Sequence, residues 1–138
     1  MFRLFVFGTL KKGLPLHERA VGDALFVGAY RTLQRYPMLV AGPWFAPMML
    51  NQPGKGLRVR GELYQVEDAR LAAIDAIESV GKPGNLRLSV EVEPLIGGPA
   101  VMAFAYLKAP ELAIPAHTGC LNDYQDRRFI PPWCRAKA

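Results

Sequence analysis

The residues with the clearest chemical potential surround the first glycine of the chain. Leu4-Phe5-Val6-Phe7 is an apolar run suited to a buried strand, and it stops abruptly at Gly8-Thr9-Leu10, ahead of Lys11, Lys12 and Gly13. A strand that ends on a glycine leaves backbone N–H groups without ladder partners, and such groups hold a carboxylate or an oxyanion without side chains. The loop is therefore a candidate anion site. The simpler reading is that Gly8 serves a tight turn and Thr9 satisfies a backbone group. The further glycine, lysine and serine spacing of a phosphate loop is missing, which argues against nucleotide binding.

Glu78 is the second such residue. At about 100° per residue it shares a helical stripe with Leu71 and Ile74, near the last turn of a helix expected over 68–79. If that stripe packs, burial raises the carboxyl pKa, and the negative helix end and Asp75 push the same way. A carboxyl tuned upward suits a general base near neutral pH. The competing reading is a helix end that leaves the core, with Glu78 simply solvated.

The elements that must position these groups follow from pattern. Leu4 to Phe7 reads as the first strand and Pro15 to Gly22 as a short helix opened by proline and closed by glycine. Ala24 to Leu33 is rich in β-formers. Tyr36 to Ala41 and Ala46 to Leu50 are short strand-like pieces separated by Gly42-Pro43. Val59 to Val66 alternates as a strand. Asp68 to Ser79 is the long helix, with Asp68 as its cap and Gly81, Pro83 and Gly84 ending it. Leu86 to Val92 and Ala100 to Leu107 complete the strands, and an irregular tail begins at about residue 110. This order predicts one α+β domain over 1–138, a small mixed barrel or curled sheet with one long and one short helix.

Composition narrows the function. The 138 residues are 51% hydrophobic and 21% charged, an ordinary globular mixture that supports a single core. Cys120 and Cys134 are read as free thiols of a reducing compartment, which points to a cytoplasmic protein. His17 and His117 lie far apart, no Cys-x-x-Cys exists, and no metal site is expected. No run approaches the ~20 apolar residues of a membrane helix. The net charge of +5 is spread along the chain, so a nucleic-acid partner is not expected. The mild positive field suits a small anionic substrate.

Four segments in order resemble the γ-glutamylcyclotransferase family, including its AIG2-like members, and especially the γ-glutamylamine cyclotransferase branch. They are Val6-Phe7-Gly8-Thr9-Leu10-Lys11-Lys12-Gly13, Tyr36-Pro37-Met38-Leu39-Val40, Val59-Arg60-Gly61-Glu62-Leu63-Tyr64 and Ile74-Asp75-Ala76-Ile77-Glu78. Two positions depart from the family pattern. Phe7 replaces a tyrosine, and Asn85-Leu86-Arg87 keeps an arginine but lacks its tyrosine.

The resemblance implies a cofactor-free reaction on a small γ-glutamyl compound. The substrate's own α-amine attacks the γ-carbonyl, giving 5-oxoproline and a free amine or amino acid. It implies Glu78 as the proton carrier and Phe7, Gly8, Thr9 and Leu10 as the substrate-binding loop. Arg87 is a further candidate for orienting an anionic group, or else an exposed strand arginine. Tyr106 lines the pocket or belongs to the core. The alternative function is a non-catalytic protein of the same fold that binds a small metabolite or a partner. The leaving group and the oligomeric state are left open.

Overall fold

The computed structural model describes residues 1–135. Its strands are β1 (Phe2–Val6), β2 (Leu25–Tyr36), β3 (Met38–Ala41), β4 (Ala46–Met49), β5 (Leu57–Val66), β6 (Asn85–Pro94) and β7 (Val101–Lys108). Two helices, α1 (His17–Ala20) and α2 (Asp68–Ile77), interrupt them. Five strands close into a barrel in the order β1-β5-β2-β6-β7, and β3 and β4 form a separate hairpin. β1 closes the ring by running antiparallel to β5 and parallel to β7, where Leu4 meets Phe104.

That position explains why β1 is continuously apolar from Leu4 onward rather than alternating. Phe5 and Phe7 enter the barrel core with Val59, Leu63, Ala105 and Leu107. Leu4 and Val6 face the other way, against Leu71 and Ile74 of α2 and Leu16 and Val21 around α1. β5 does alternate, with Val59, Gly61 and Leu63 buried. A Cβ on Gly61 would lie 2.8 Å from the Phe5 ring, so close packing of β1 on β5 requires glycine there.

Several boundaries differ from those expected. The short helix is a single turn, His17–Ala20, within the broader span assigned from Pro15 and Gly22. β2 continues to Tyr36, because its far end still pairs with β5 through Arg35–Arg58 and Tyr36–Leu57. α2 ends at Ile77, and Glu67, not Asp68, occupies its N-cap with extended backbone and no side-chain cap hydrogen bond. Asp68 instead opens the first turn, where a negative charge suits the helix dipole. The tail from residue 110 is irregular apart from two 3₁₀ turns, Pro110–Leu112 and Pro132–Cys134. It is nonetheless packed: Tyr124 is 1% exposed and joins the barrel core, and Leu121 N–H donates to the Met38 carbonyl at 2.7 Å.

Candidate active site

A cavity of about 260 Å³ opens where the end of β1, the end of α2, the β3–β4 hairpin and the C-terminal segment converge. Phe7, Gly8, Thr9 and Leu10 line it, as do Glu78 and Tyr106. The two groups singled out for their chemistry thus share one wall-to-wall space.

The loop after β1 is locked through its carbonyls. Lys11 N–H donates to the Gly8 carbonyl at 3.0 Å, and Leu16 N–H donates to that of Thr9 at 3.0 Å. His17 Nδ1 donates to the Leu10 carbonyl at 2.9 Å, which gives His17 its local structural part. Among the described residues, the amides of Gly8, Thr9 and Leu10 find no protein acceptor. Occupied carbonyls and open amides on one short loop make a donor-rich concavity. Gly8 itself has no unusual backbone angle. Its reason is space, since a Cβ would sit 2.5 Å from Pro47 Cγ on β4.

Glu78 is the C-cap of α2. The helix closes there by the paired bonds of a Schellman motif: Ser79 N–H donates to the Ala76 carbonyl at 3.2 Å, and Val80 N–H to that of Asp75 at 3.0 Å. The left-handed residue in this motif is usually glycine, but here it is Ser79, with φ 56°. The glycine-rich stretch from Gly81 therefore follows the helix end rather than making it. The tight closure points Glu78 into the cavity, where it remains partly accessible but deeply enclosed by protein. Burial pushes its carboxyl above the ordinary value, and the Lys108 ammonium pulls partly back.

Lys108 was not a sequence candidate, yet it lines the cavity. Desolvation lowers its pKa, while Glu78 acts in the opposite sense. Its Nζ donates to Asn85 Oδ1 at 2.6 Å, and Asn85 Nδ2 donates to the Ser79 carbonyl at 3.2 Å. Asn85, noted only for the tyrosine it replaces, thereby ties the lysine to the helix end. The signal for Lys108 was available: it lies two residues after Tyr106, on the same strand face.

Tyr106 lines the cavity and donates its hydroxyl to Asp75 Oδ1 at 2.7 Å. Burial first, then Asp75, raises its pKa. Arg87 is not brought to the cavity. It pairs with Asp75 Oδ2 at 3.1 Å and lies over the Phe104 ring at 4.6 Å, so it braces the carboxylate that holds Tyr106. Trp44, in the turn between β3 and β4, and Phe129, Pro132 and Arg135 of the tail also line the space and were missed, because neither segment has a period to read. Cys120 and Cys134 are exposed and unpaired, and among the described residues no group of three His, Cys, Asp or Glu side chains converges.

Comparison with known proteins identifies the class to which this small closed barrel belongs. The family model "Gamma-glutamyl cyclotransferase, AIG2-like" matches residues 4–126, and the chain belongs to that family. A γ-glutamylaminecyclotransferase of Bos taurus is 38% identical over 129 residues, covering 90% of this chain and 76% of the bovine protein. That of Rattus norvegicus is 37% identical, over 85% of this chain and 87% of the rat protein. A relative from Arabidopsis thaliana is 39% identical over 64% of this chain, a match that spans only 50% of the plant protein. The crystal structure of a mouse AIG2-like protein superposes with TM-score 0.75 at 31% identity, covering 92% of this chain and 97% of the mouse chain.

Proposed function

We propose that this protein is a γ-glutamyl cyclotransferase that converts a γ-glutamyl amine or γ-glutamyl amino acid to 5-oxoproline and the free amine. Family membership and the names of the bovine and rat relatives support the reaction class. The observation that carries the residue assignment is the shared cavity: a carboxyl raised by burial and three open amides line the same 260 Å³.

The substrate enters with its α-nitrogen as an ammonium. Glu78, as carboxylate, takes a proton from it and frees the lone pair. The amine attacks the γ-carbonyl, closing a five-membered ring, and the carbonyl oxygen becomes an oxyanion. The open amides of Gly8, Thr9 and Leu10 bind the substrate's carboxylate or this oxyanion, and each donor to the oxyanion contributes roughly 2–4 kcal/mol. Glu78 then delivers its proton to the leaving nitrogen as the amide bond breaks. Over the whole cycle two protons pass from the α-nitrogen to the leaving nitrogen, so a lactam N–H and an ammonium product balance the reactants. Holding the flexible glutamyl chain folded for attack is an entropic task, which the enclosed cavity performs. Two free, exposed thiols support placing this chemistry in the cytoplasm. No helix among the described residues is long and apolar enough to cross a membrane.

The test is product analysis on a panel of γ-glutamyl compounds with the wild-type protein and Glu78→Gln. The expected result is 5-oxoproline from the wild type and none above background from the variant. Free glutamate as product, or undiminished turnover by the variant, contradicts this reading.

A further inference from the structure

Lys11 follows directly on the loop whose amides are open to the cavity, and the cyclotransferase cycle gives it no part. A lysine in that place is ordinarily an anion ligand, a mobile ammonium beside backbone donors. Here it does not line the cavity. Its side chain is 13% exposed, and Nζ donates to Asp123 Oδ1 at 3.1 Å and to the Tyr124 carbonyl at 2.9 Å. That carbonyl is a fixed point, because Tyr124 is packed in the barrel core. Asp123 is tied in turn, since Gln125 Nε2 donates to its Oδ2 at 2.8 Å. The charge of Lys11 is therefore matched by the tail and not spent on a substrate.

The backbone of the same residue closes the loop. Lys11 N–H donates to the Gly8 carbonyl at 3.0 Å. In a trans peptide the carbonyl and the N–H of the next residue point to opposite sides. Holding the Gly8 carbonyl therefore fixes the Thr9 amide in the opposite direction. Leu16 N–H holds the Thr9 carbonyl and fixes the Leu10 amide in the same manner. Leu16 is itself anchored by core packing against β1 and α2. Lys11 has no such packing, and its anchor is the grip on its ammonium. The neighbouring bond, Lys12 N–H to Glu62 Oε1 at 2.9 Å, is exposed, so water competes for it.

We infer that Lys11 is a positioning residue, a role that rests on the cyclotransferase reading. Its ammonium, gripped by Asp123 and the Tyr124 carbonyl, steadies the backbone bond to Gly8 and so aims the Thr9 amide at the substrate. The anion-holding loop thereby depends on a tail segment 112 residues further along the chain.

The experiment measures kcat and KM for Lys11→Met, Lys11→Arg, Asp123→Ala and the double variant Lys11→Met/Asp123→Ala. The substrate is the γ-glutamyl compound that the wild type converts best, and the temperature is one at which melts show each variant folded. Lys11→Met should raise KM about tenfold, inside the hundredfold that an ångström of misplacement can cost. Lys11→Arg restores a cation with several donors and should stay within about threefold of wild type. Asp123→Ala leaves the loop's own residues untouched and should raise KM about threefold, because the Tyr124 carbonyl still holds the lysine. The double variant should be no worse than Lys11→Met alone, as expected for two groups acting through one contact. Should Lys11→Met fail to fold, Asp123→Ala decides alone. An unchanged or lower KM on freeing the lysine from Asp123 overturns the positioning role. So does a fall in kcat that merely follows the loss of folded protein, with KM unchanged. Both results leave the cyclotransferase reading standing. Absence of 5-oxoproline from the wild type on every γ-glutamyl compound overturns that reading and the positioning role with it.

Discussion

Asn85 and Lys108 face one another in the β6–β7 register, and the lysine Nζ donates to the asparagine Oδ1 at 2.6 Å. The same asparagine donates to the Ser79 carbonyl, next to Glu78. A positive charge is thereby fixed to the helix end that bears the acidic group. Lys108→Met removes the one influence that opposes burial at Glu78. The carboxyl then rises further, and the acid limb of the kcat/KM profile moves to higher pH. A limb that stays in place would show that the lysine does not act on Glu78.

Glu78→Gln has a stability consequence separate from its effect on turnover. A carboxyl raised in the folded state binds its proton more tightly there than in the unfolded chain. Its stability contribution is therefore complete below the unfolded value of 4.5 and is lost as pH rises through the higher folded value. The variant should lose this pH dependence and melt at a higher temperature than wild type at neutral pH. Thermal melts across pH 4 to 8 read both effects; a lower Tm for the variant at neutral pH would contradict the assignment of Glu78 as a buried, strained acid.

Gly8→Ala drives a methyl group into Pro47 Cγ, at 2.5 Å before any relaxation. Overpacking of this kind costs about 1–3 kcal/mol. The hairpin or the loop must shift, and turnover should fall together with Tm. Pro47→Ala removes the obstructing ring carbons, so the double variant should recover most of the lost Tm. Independent, additive losses would locate the need for glycine elsewhere.

Ser79→Gly relieves a left-handed backbone position that costs an L-residue roughly 1–2 kcal/mol. Part of that gain is offset by the greater freedom of glycine in the unfolded chain. A net stabilisation of about 0.5–1 kcal/mol is expected from denaturant unfolding. A destabilised variant would mean that the serine side chain holds the turn.

Thr9→Ala leaves the loop's amides in place. If backbone donors carry the binding, kcat/KM should fall by less than about tenfold, the equivalent of one weak hydrogen bond. Complete loss of turnover would transfer the role to the hydroxyl.

Much of this architecture was legible in order but not in closure. The unbroken apolar run of Leu4 to Phe7 identified a buried strand, and the breaker-free, alanine-bearing run after Asp68 identified the long helix. Whether the sheet curled or closed depended on the parallel pairing of Leu4 with Phe104, which local pattern does not encode. The loop and Glu78 were legible because glycine after a strand and a carboxylate on an apolar stripe each break a local rule, and the structure brings both to one cavity. Lys108 carried a weaker signal: it shares the strand face of Tyr106 two residues earlier, but a lysine ending a strand ordinarily reaches water. Arg87 carried the right charge but sits where Asp75 satisfies it. Arg135 depends on hydrogen bonds between distant irregular segments, which leave no repeat in the sequence.

The parallel contact between Leu4 and Phe104 also bears on how the chain acquires its activity. β1 cannot be seated on both sides until β7 has formed, so the loop that follows β1 depends on a strand far along the chain. Such a dependence on contacts distant in sequence favours slow, late consolidation. The pocket would then arise in the last act of folding, and fragments halting before β7 should be inert toward any γ-glutamyl compound, however native their hairpins look.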